Sequence, residues 1–242
     1  MALQNGDFVE IEYTAKKASD GVVFDTTDEA KARSAGIYAE NTRYGPLLVV
    51  VGKGHVVSGL DEALVGMEVG QERSVEVLPE KGFGKKDPKL LRVMSLNEFR
   101  KQRIEPYPGM PVTLDGISAV VKSVSGGRVM VDMNHPLAGE KLIYDVKVVR
   151  KLETEEEKIR GLLSSEKLDG EIKFGDVVTI SIKNAKNDVS YFIAKSNFLR
   201  RLFELMDMKK VRVVEDFVKD EKKPTESENE EKQAETEKEK TD

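Results

Sequence analysis

The 242-residue chain contains no cysteine. That absence excludes disulfides, thiolate metal sites and a cysteine nucleophile, and it points to a reducing compartment. Histidine is nearly absent too: His55 and His135 are the only two, too few for a histidine-rich metal centre. No run approaches the roughly 20 consecutive apolar residues of a membrane span. The opening "MALQNGDFVEIEY" has neither the basic start nor the apolar middle of a secretory signal. A cytoplasmic protein without membrane association is expected. A strong charge of one sign is also missing from the body of the chain. The net charge of −5 gathers at the end, where residues 221–242 carry nine acids and five bases and leave −1 for the rest. A nearly neutral body lacks the clustered basic surface of nucleic-acid binders, so no nucleic-acid partner is expected.

What the chain does have is a succession of β-patterned segments. "DFVEIEYTAK" (residues 7–16) sets Phe8, Val9, Ile11 and Tyr13 among acids and reads as a half-buried strand. "SDGVVFDTT" adds a turn at Asp20-Gly21 and a second short strand, and residues 27–44 read as an excursion with a short helix. Strand character returns in "PLLVVVG". A helix is expected at about residues 58–65, with Leu60, Ala63 and Leu64 on one face and Ser58 as its cap. "ERSVEVLPE" alternates again until Pro79. Residues 88–132 change character, with Met94, Pro106, Pro108 and Pro111. Here "ISAVVKSV" and "RVMVDM", joined by "SGG", make a hairpin signal. This block reads as an insertion, after which "NHPLAGEKLIYDVKVVRKL" completes the first sheet.

Thr154 with Glu157 forms a capping box that opens a helix carrying Ile159, Leu162 and Leu163. Beyond it, "DVVTISI", "SYFIA" and "VRVVEDF" read as strands. A helix over residues 196–207, capped by Ser196, gathers Phe198, Leu199, Leu202, Phe203 and Met206 on one face. If that face exceeds what one small sheet covers, a second copy of the chain would hide the surplus, and the partner expected in that case is a homodimer through this region. Residues 221–242 offer no bulky apolar side chain and are expected to form a disordered acidic tail.

The stretch "VVVGKGHVVSGLDEALVGMEVG" (residues 49–70) tests several chemistries. A dinucleotide loop needs a third glycine where Val57 stands, and a phosphate-cradling loop needs Lys and Ser or Thr where Leu60 and Asp61 follow Gly59. Neither His55 nor His135 has a helix-spaced partner for a metal. What remains is Val56 and Val57 leading into Leu60, apolar groups that can floor a pocket.

This stretch resembles the signature of FKBP-type peptidyl-prolyl isomerases, and "VEIEYTAK", "GVVFDTT", "EKGFG" and "LIYDVKVV" follow the family's order. "NHPLAGE" after an inserted block is similar to SlyD-type members, and the extra C-terminal region to the long archaeal form. The resemblance covers residues 1–152 and implies an α+β fold: an antiparallel sheet wrapped on a short helix (residues 1–84 and 133–152), a small β-rich insert-in-flap domain (85–132) and a C-terminal α+β domain (153–220). It also implies catalysis of X-Pro isomerisation without cofactor or metal, on unfolded or proline-containing polypeptides. The resemblance places Tyr13, Asp25, Phe83 and Tyr144 in the catalytic set, with Phe24, Val49, Val56, Val57 and Leu60 around the proline. Where the family's pocket floor is often tryptophan, this chain has Leu60. In the insert, Met94, Phe99, Tyr107, Met110 and Met133 are implied as adaptable surface for holding clients.

Overall fold

The computed structural model describes residues 1–217, and the expected acidic tail lies outside them. The chain divides into two compact units, residues 1–161 and residues 162 onward.

In the first unit, strand β1 (Phe8–Lys17) is the hub. It pairs antiparallel with β2 (Val23–Thr26) and with β3 (Leu47–Val50), and helix α1 (Glu29–Ser34) lies in the excursion between those two. Phe8 and Val9 are adjacent and both buried, which simple alternation forbids. Val9, Ile11 and Ala15 alternate into one core, whereas Phe8 is buried on the other side of the strand, where the Lys158 ammonium lies 5.5 Å from its ring. Helix α2 (Ser58–Leu64) crosses the sheet's inner face and buries Leu60 and Leu64. A Cβ on Gly59 would stand 2.8 Å from Val77, so glycine is what lets α2 lie this close to strand β4 (Glu72–Val77). Ser58 is not the cap of α2. Val57 holds that position without a side-chain bond, and the Ser58 hydroxyl donates to the Lys81 carbonyl instead.

The inserted block builds its own four-stranded sheet. Strand β5 (Leu91–Ser95), helix α3 (Leu96–Lys101), β6 (Pro111–Leu114), β7 (Ile117–Ser125) and β8 (Arg128–Asp132) follow in sequence. The strands lie in the order β5-β8-β7-β6, all antiparallel. Gly126 and Gly127, both at positive φ, make the hairpin between β7 and β8. Phe99, Val121, Val129, Val131 and Met133 form a core for this sheet. Strand β9 (Leu142–Leu152) then returns between β1 and β4 and closes the first sheet in the order β2-β1-β9-β4.

The boundary between the units falls inside helix α4 (Glu155–Ser165). The capping box at its start is formed in both directions: Glu157 N–H donates to Thr154 Oγ1 at 3.2 Å and Thr154 N–H donates to Glu157 Oε2 at 3.0 Å. The second unit carries β10 (Gly170–Lys173), β11 (Val178–Ile182), helix α5 (Val189–Leu205) and β12 (Val211–Glu215). β10 and β11 are antiparallel, whereas β11 and β12 are parallel and need the α5 crossover to join them. "SYFIA" is therefore the first part of α5, not a strand, and Ser196 sits within the helix rather than capping it. Asp188 is the cap, accepting from Tyr191 N–H at 2.8 Å. Tyr191, Phe198 and Leu202, spaced by seven and four, form the buried face. No helix among the described residues is long and apolar enough to cross a membrane.

Candidate active site

On one end of the first sheet, five elements deliver side chains to a single place. β1 supplies Tyr13, β2 supplies Phe24 and Asp25, the loop after β3 supplies Val56 and Val57, the turn after β4 supplies Phe83, and β9 supplies Tyr144. Tyr13, Phe24, Val56, Val57 and Phe83 are half-buried and pack on the same core as the buried Leu60 and Tyr144. The four rings are mutually braced. Tyr13 and Tyr144 lie 5.8 Å apart between centroids, and Phe24 stands edge-on to Tyr144 at 6.2 Å and to Phe83 at 6.3 Å. Edge-to-face pairs at this distance set the positive ring rim against the negative face, contributing about 0.5–1.5 kcal/mol beyond burial. The result is an aromatic cup packed on the core to which the fully buried Leu60 belongs.

The polar edge of the cup is Asp25. The Tyr13 hydroxyl donates to Asp25 Oδ2 at 2.7 Å, a diagonal pair across β1 and β2, since Asp25 lies opposite Ala15. Burial first, then this hydrogen bond to a carboxylate, pushes the Tyr13 phenol well above its ordinary value. Burial and the nearby Asp25 charge push Tyr144 up to about 12. Both hydroxyls are thus protonated, neutral donors at neutral pH. The two buried threonines after Asp25 hold the strand itself. Tyr13 N–H donates to Thr27 Oγ1 at 2.9 Å, and the Tyr13 carbonyl accepts from the Thr26 hydroxyl at 3.0 Å.

Asp61, which sequence reasoning passed over, is a buried carboxylate accepting from Gly52 N–H at 2.8 Å and Gly54 N–H at 2.9 Å. Gly52 and Gly54 have φ of +76° and +67°, a region other L-residues avoid, and that turn lets both amides converge on one carboxylate. This pins the loop that presents Val56 and Val57. The signal for it was the pair of glycines followed by an acid on the first turn of a helix. His55 belongs to the same loop, its Nδ1 accepting from Val50 N–H at 3.0 Å. Val49 is not at the rim: it is fully buried on β3, opposite Val9, as part of the core.

The insert carries a second concavity, a groove of ≈ 470 Å³. Met94, Phe99 and Met110 line it. Phe99 and Met133 are buried in the insert's own core and hold it together, Met94 and Met110 are half-buried, and Tyr107 is 60% exposed. A larger cleft of ≈ 780 Å³ lies against the outward face of the first sheet, lined by Glu12, Thr14, Asp145 and Lys147. These residues alternate with Tyr13 and Tyr144 along β1 and β9, and Tyr13 and Val146 line the cleft as well, so cleft and cup share Tyr13. Among the described residues no group of three or more histidine, aspartate or glutamate side chains could hold a metal ion.

Comparison with known proteins gives this geometry its context. The family model described as "FKBP26, IF domain" matches residues 92–137. The short-type peptidyl-prolyl cis-trans isomerase of Methanocaldococcus jannaschii is 37% identical over 146 residues, covering 60% of this chain and 92% of that protein. The FKBP-type 16 kDa peptidyl-prolyl cis-trans isomerase of Escherichia coli is 32% identical over 121 residues, 47% of this chain and 80% of that protein. The FKBP-type isomerase SlyD of Helicobacter pylori is 32% identical over 131 residues, 52% of this chain and 70% of that protein. The chain belongs to the FKBP-type peptidyl-prolyl cis-trans isomerases, a family of enzymes.

Proposed function

We propose that this protein accelerates cis–trans isomerisation of X-Pro bonds in unfolded or partly folded polypeptides in the cytoplasm, and that the inserted sheet holds those chains beside the site. The observation that carries the reading is the braced cup of Tyr13, Phe24, Phe83 and Tyr144, packed on the core to which Leu60 belongs, with Asp25 fixed at its edge. Resonance sets a barrier of about 18–20 kcal/mol to rotation of an amide, and unaided X-Pro bonds switch in tens to hundreds of seconds. In the twisted transition state the nitrogen loses conjugation and the amide becomes less dipolar. A dry apolar cup favours that state over the planar, better hydrated one. No nucleophile or proton relay is needed, which suits a cup whose phenols stay protonated.

In this mechanism the proline ring rests over Leu60, between Phe24, Val56, Val57 and Tyr144, and Phe83 closes the side. Asp25, locked by the Tyr13 hydroxyl, serves as a fixed acceptor beside the turning carbonyl rather than as a base. The groove of the insert, with Met94 and Met110 on its wall, offers the flexible thioether surface that accommodates varied apolar segments. The direct test is refolding of a protein whose slow phase is a proline step. Substoichiometric amounts of this chain should shorten that phase in proportion to their concentration. Saturable binding of the unfolded chain with an unaltered slow phase would leave only a binding module.

A further inference from the structure

Two stretches of chain connect the inserted sheet to the first sheet, one leaving after β4 and one returning into β9. Asn134 ties them together. Its side chain accepts from Asp87 N–H at 2.7 Å and donates to the Asp87 carbonyl at 3.1 Å. It also donates to the buried Asp132 carboxylate at 2.8 Å. Closer to the first sheet, Gly139 N–H donates to the Gly84 carbonyl at 2.8 Å.

The three residues at this junction face two different sites. Asn134 and Pro136 line the groove of the insert. His135, between them, lies flat on Phe83, with ring centroids 4.4 Å apart and planes 4° from parallel. Phe83 in turn meets Phe24 edge-on in the cup. Burial does not force the His135 stack, because the residue is exposed. Its one side-chain bond to the backbone, Nδ1 accepting from Leu137 N–H at 3.2 Å, fixes the turn and not the partner ring. Phe83 stands between Gly82 and Gly84, so its neighbours in sequence have no side chains to seat it. The flat contact from His135 supplies that support on one face.

We propose that His135 is a positioning residue of the isomerase cup, and that through it an occupant of the insert's groove changes how firmly the cup holds proline. This rests on the isomerase reading above. Any displacement of Asn134 or Pro136 by a groove occupant moves the backbone of His135 and slides the imidazole across Phe83. Coupling of this kind is reciprocal, so proline in the cup alters affinity in the groove by the same factor. A ring contact contributes about 0.5–1.5 kcal/mol, a factor of roughly two to ten.

The experiment measures cis–trans exchange of a short Ala-Leu-Pro peptide by NMR with the full-length protein. His135→Ala raises KM about two- to tenfold with little change in kcat, and His135→Phe restores it. Both substitutions remove the Nδ1 acceptor, so the difference between them reports the ring alone. In a Phe83→Ala background His135→Ala adds nothing further. A proline-free peptide rich in Leu and Phe, added to fill the groove, shifts KM for the unmodified chain but not for His135→Ala. The proposal is overturned by an unchanged KM in His135→Ala, by failure of His135→Phe to restore it, or by an undiminished effect in the Phe83→Ala background. It is equally overturned if the apolar peptide leaves the unmodified chain unaffected or shifts His135→Ala as much. Absence of any turnover by the unmodified chain is a different result and removes the isomerase reading itself.

Discussion

Tyr13 illustrates how much rests on single atoms in the cup. Its hydroxyl makes a short bond to a charged acceptor, the class of hydrogen bond that contributes about 1.5–3 kcal/mol. Tyr13→Phe keeps the ring against Tyr144 and frees Asp25 to turn away. It should lower kcat/KM by about tenfold while leaving the melting temperature within a few degrees, as peptide turnover and calorimetry on one sample can check. Tyr144 carries a pH prediction. Its phenol is held protonated in the fold up to about 12, above the ordinary value of 10.0. The stabilisation is therefore fully present below pH 10 and is lost as pH rises through about 12. Denaturant titrations should find a constant difference between the natural chain and Tyr144→Phe up to pH 10. Between pH 10 and 12 the natural chain should lose a few kcal/mol relative to the variant. At this scale the four rings were legible, because each stands in a motif that carries the family resemblance: Tyr13 in "VEIEYTAK", Phe24 in "GVVFDTT", Phe83 in "EKGFG" and Tyr144 in "LIYDVKVV". The role of Asp61 was not, because two amides converging on one carboxylate is a property of backbone turns at Gly52 and Gly54. Val49 was misplaced for a related reason: alternation gives the side of a strand, and cannot divide the inner side into core and rim.

Among the elements, β1, β4 and β9 followed from two-residue periodicity, since each alternates into the core over much of its length, whereas β3, buried at three successive residues, followed from its apolar run. The second unit was harder. "SYFIA" has the β-branched and aromatic content of a strand, and only the longer spacing from Tyr191 to Phe198 and Leu202, with Asp188 as cap, marks it as helix. The same short window put the cap at Ser196, eight residues too late. In the insert, Asp115 and Gly116 both adopt positive φ in the two-residue turn between β6 and β7, a second hairpin signal in the sequence beside "SGG". Because the insert has its own core around Phe99 and Val121, replacing residues 86–131 by a short linker should leave the cup able to turn over small peptides. Suppression of client aggregation should fall severalfold. Light-scattering assays giving equal suppression by the shortened protein would remove the insert from client binding.

For the whole molecule, charge and composition set the boundaries early and the architecture filled them. A chain without cysteine and with two histidines has no thiolate chemistry and no histidine-rich metal centre, and the candidate site consists of rings, aliphatic groups and one carboxylate. In the second unit, Val189, Phe192 and Ile193 leave an exposed apolar stripe on α5, 75%, 43% and 56% accessible respectively. We propose that a second copy covers this stripe. Sedimentation should then find a dimer that Phe192→Glu with Ile193→Glu converts to a monomer of unchanged turnover, and a monomeric natural chain would discard the idea. The central claim remains that a dry aromatic cup lowers the torsional barrier of an imide. Exchange NMR on an Ala-Leu-Pro peptide, with protein far below peptide concentration, measures it most directly. The account predicts cis–trans rates that rise linearly with added protein and fall sharply when Phe24 is replaced by Asn. Rates unmoved by the protein, or undiminished by Phe24→Asn, would contradict it.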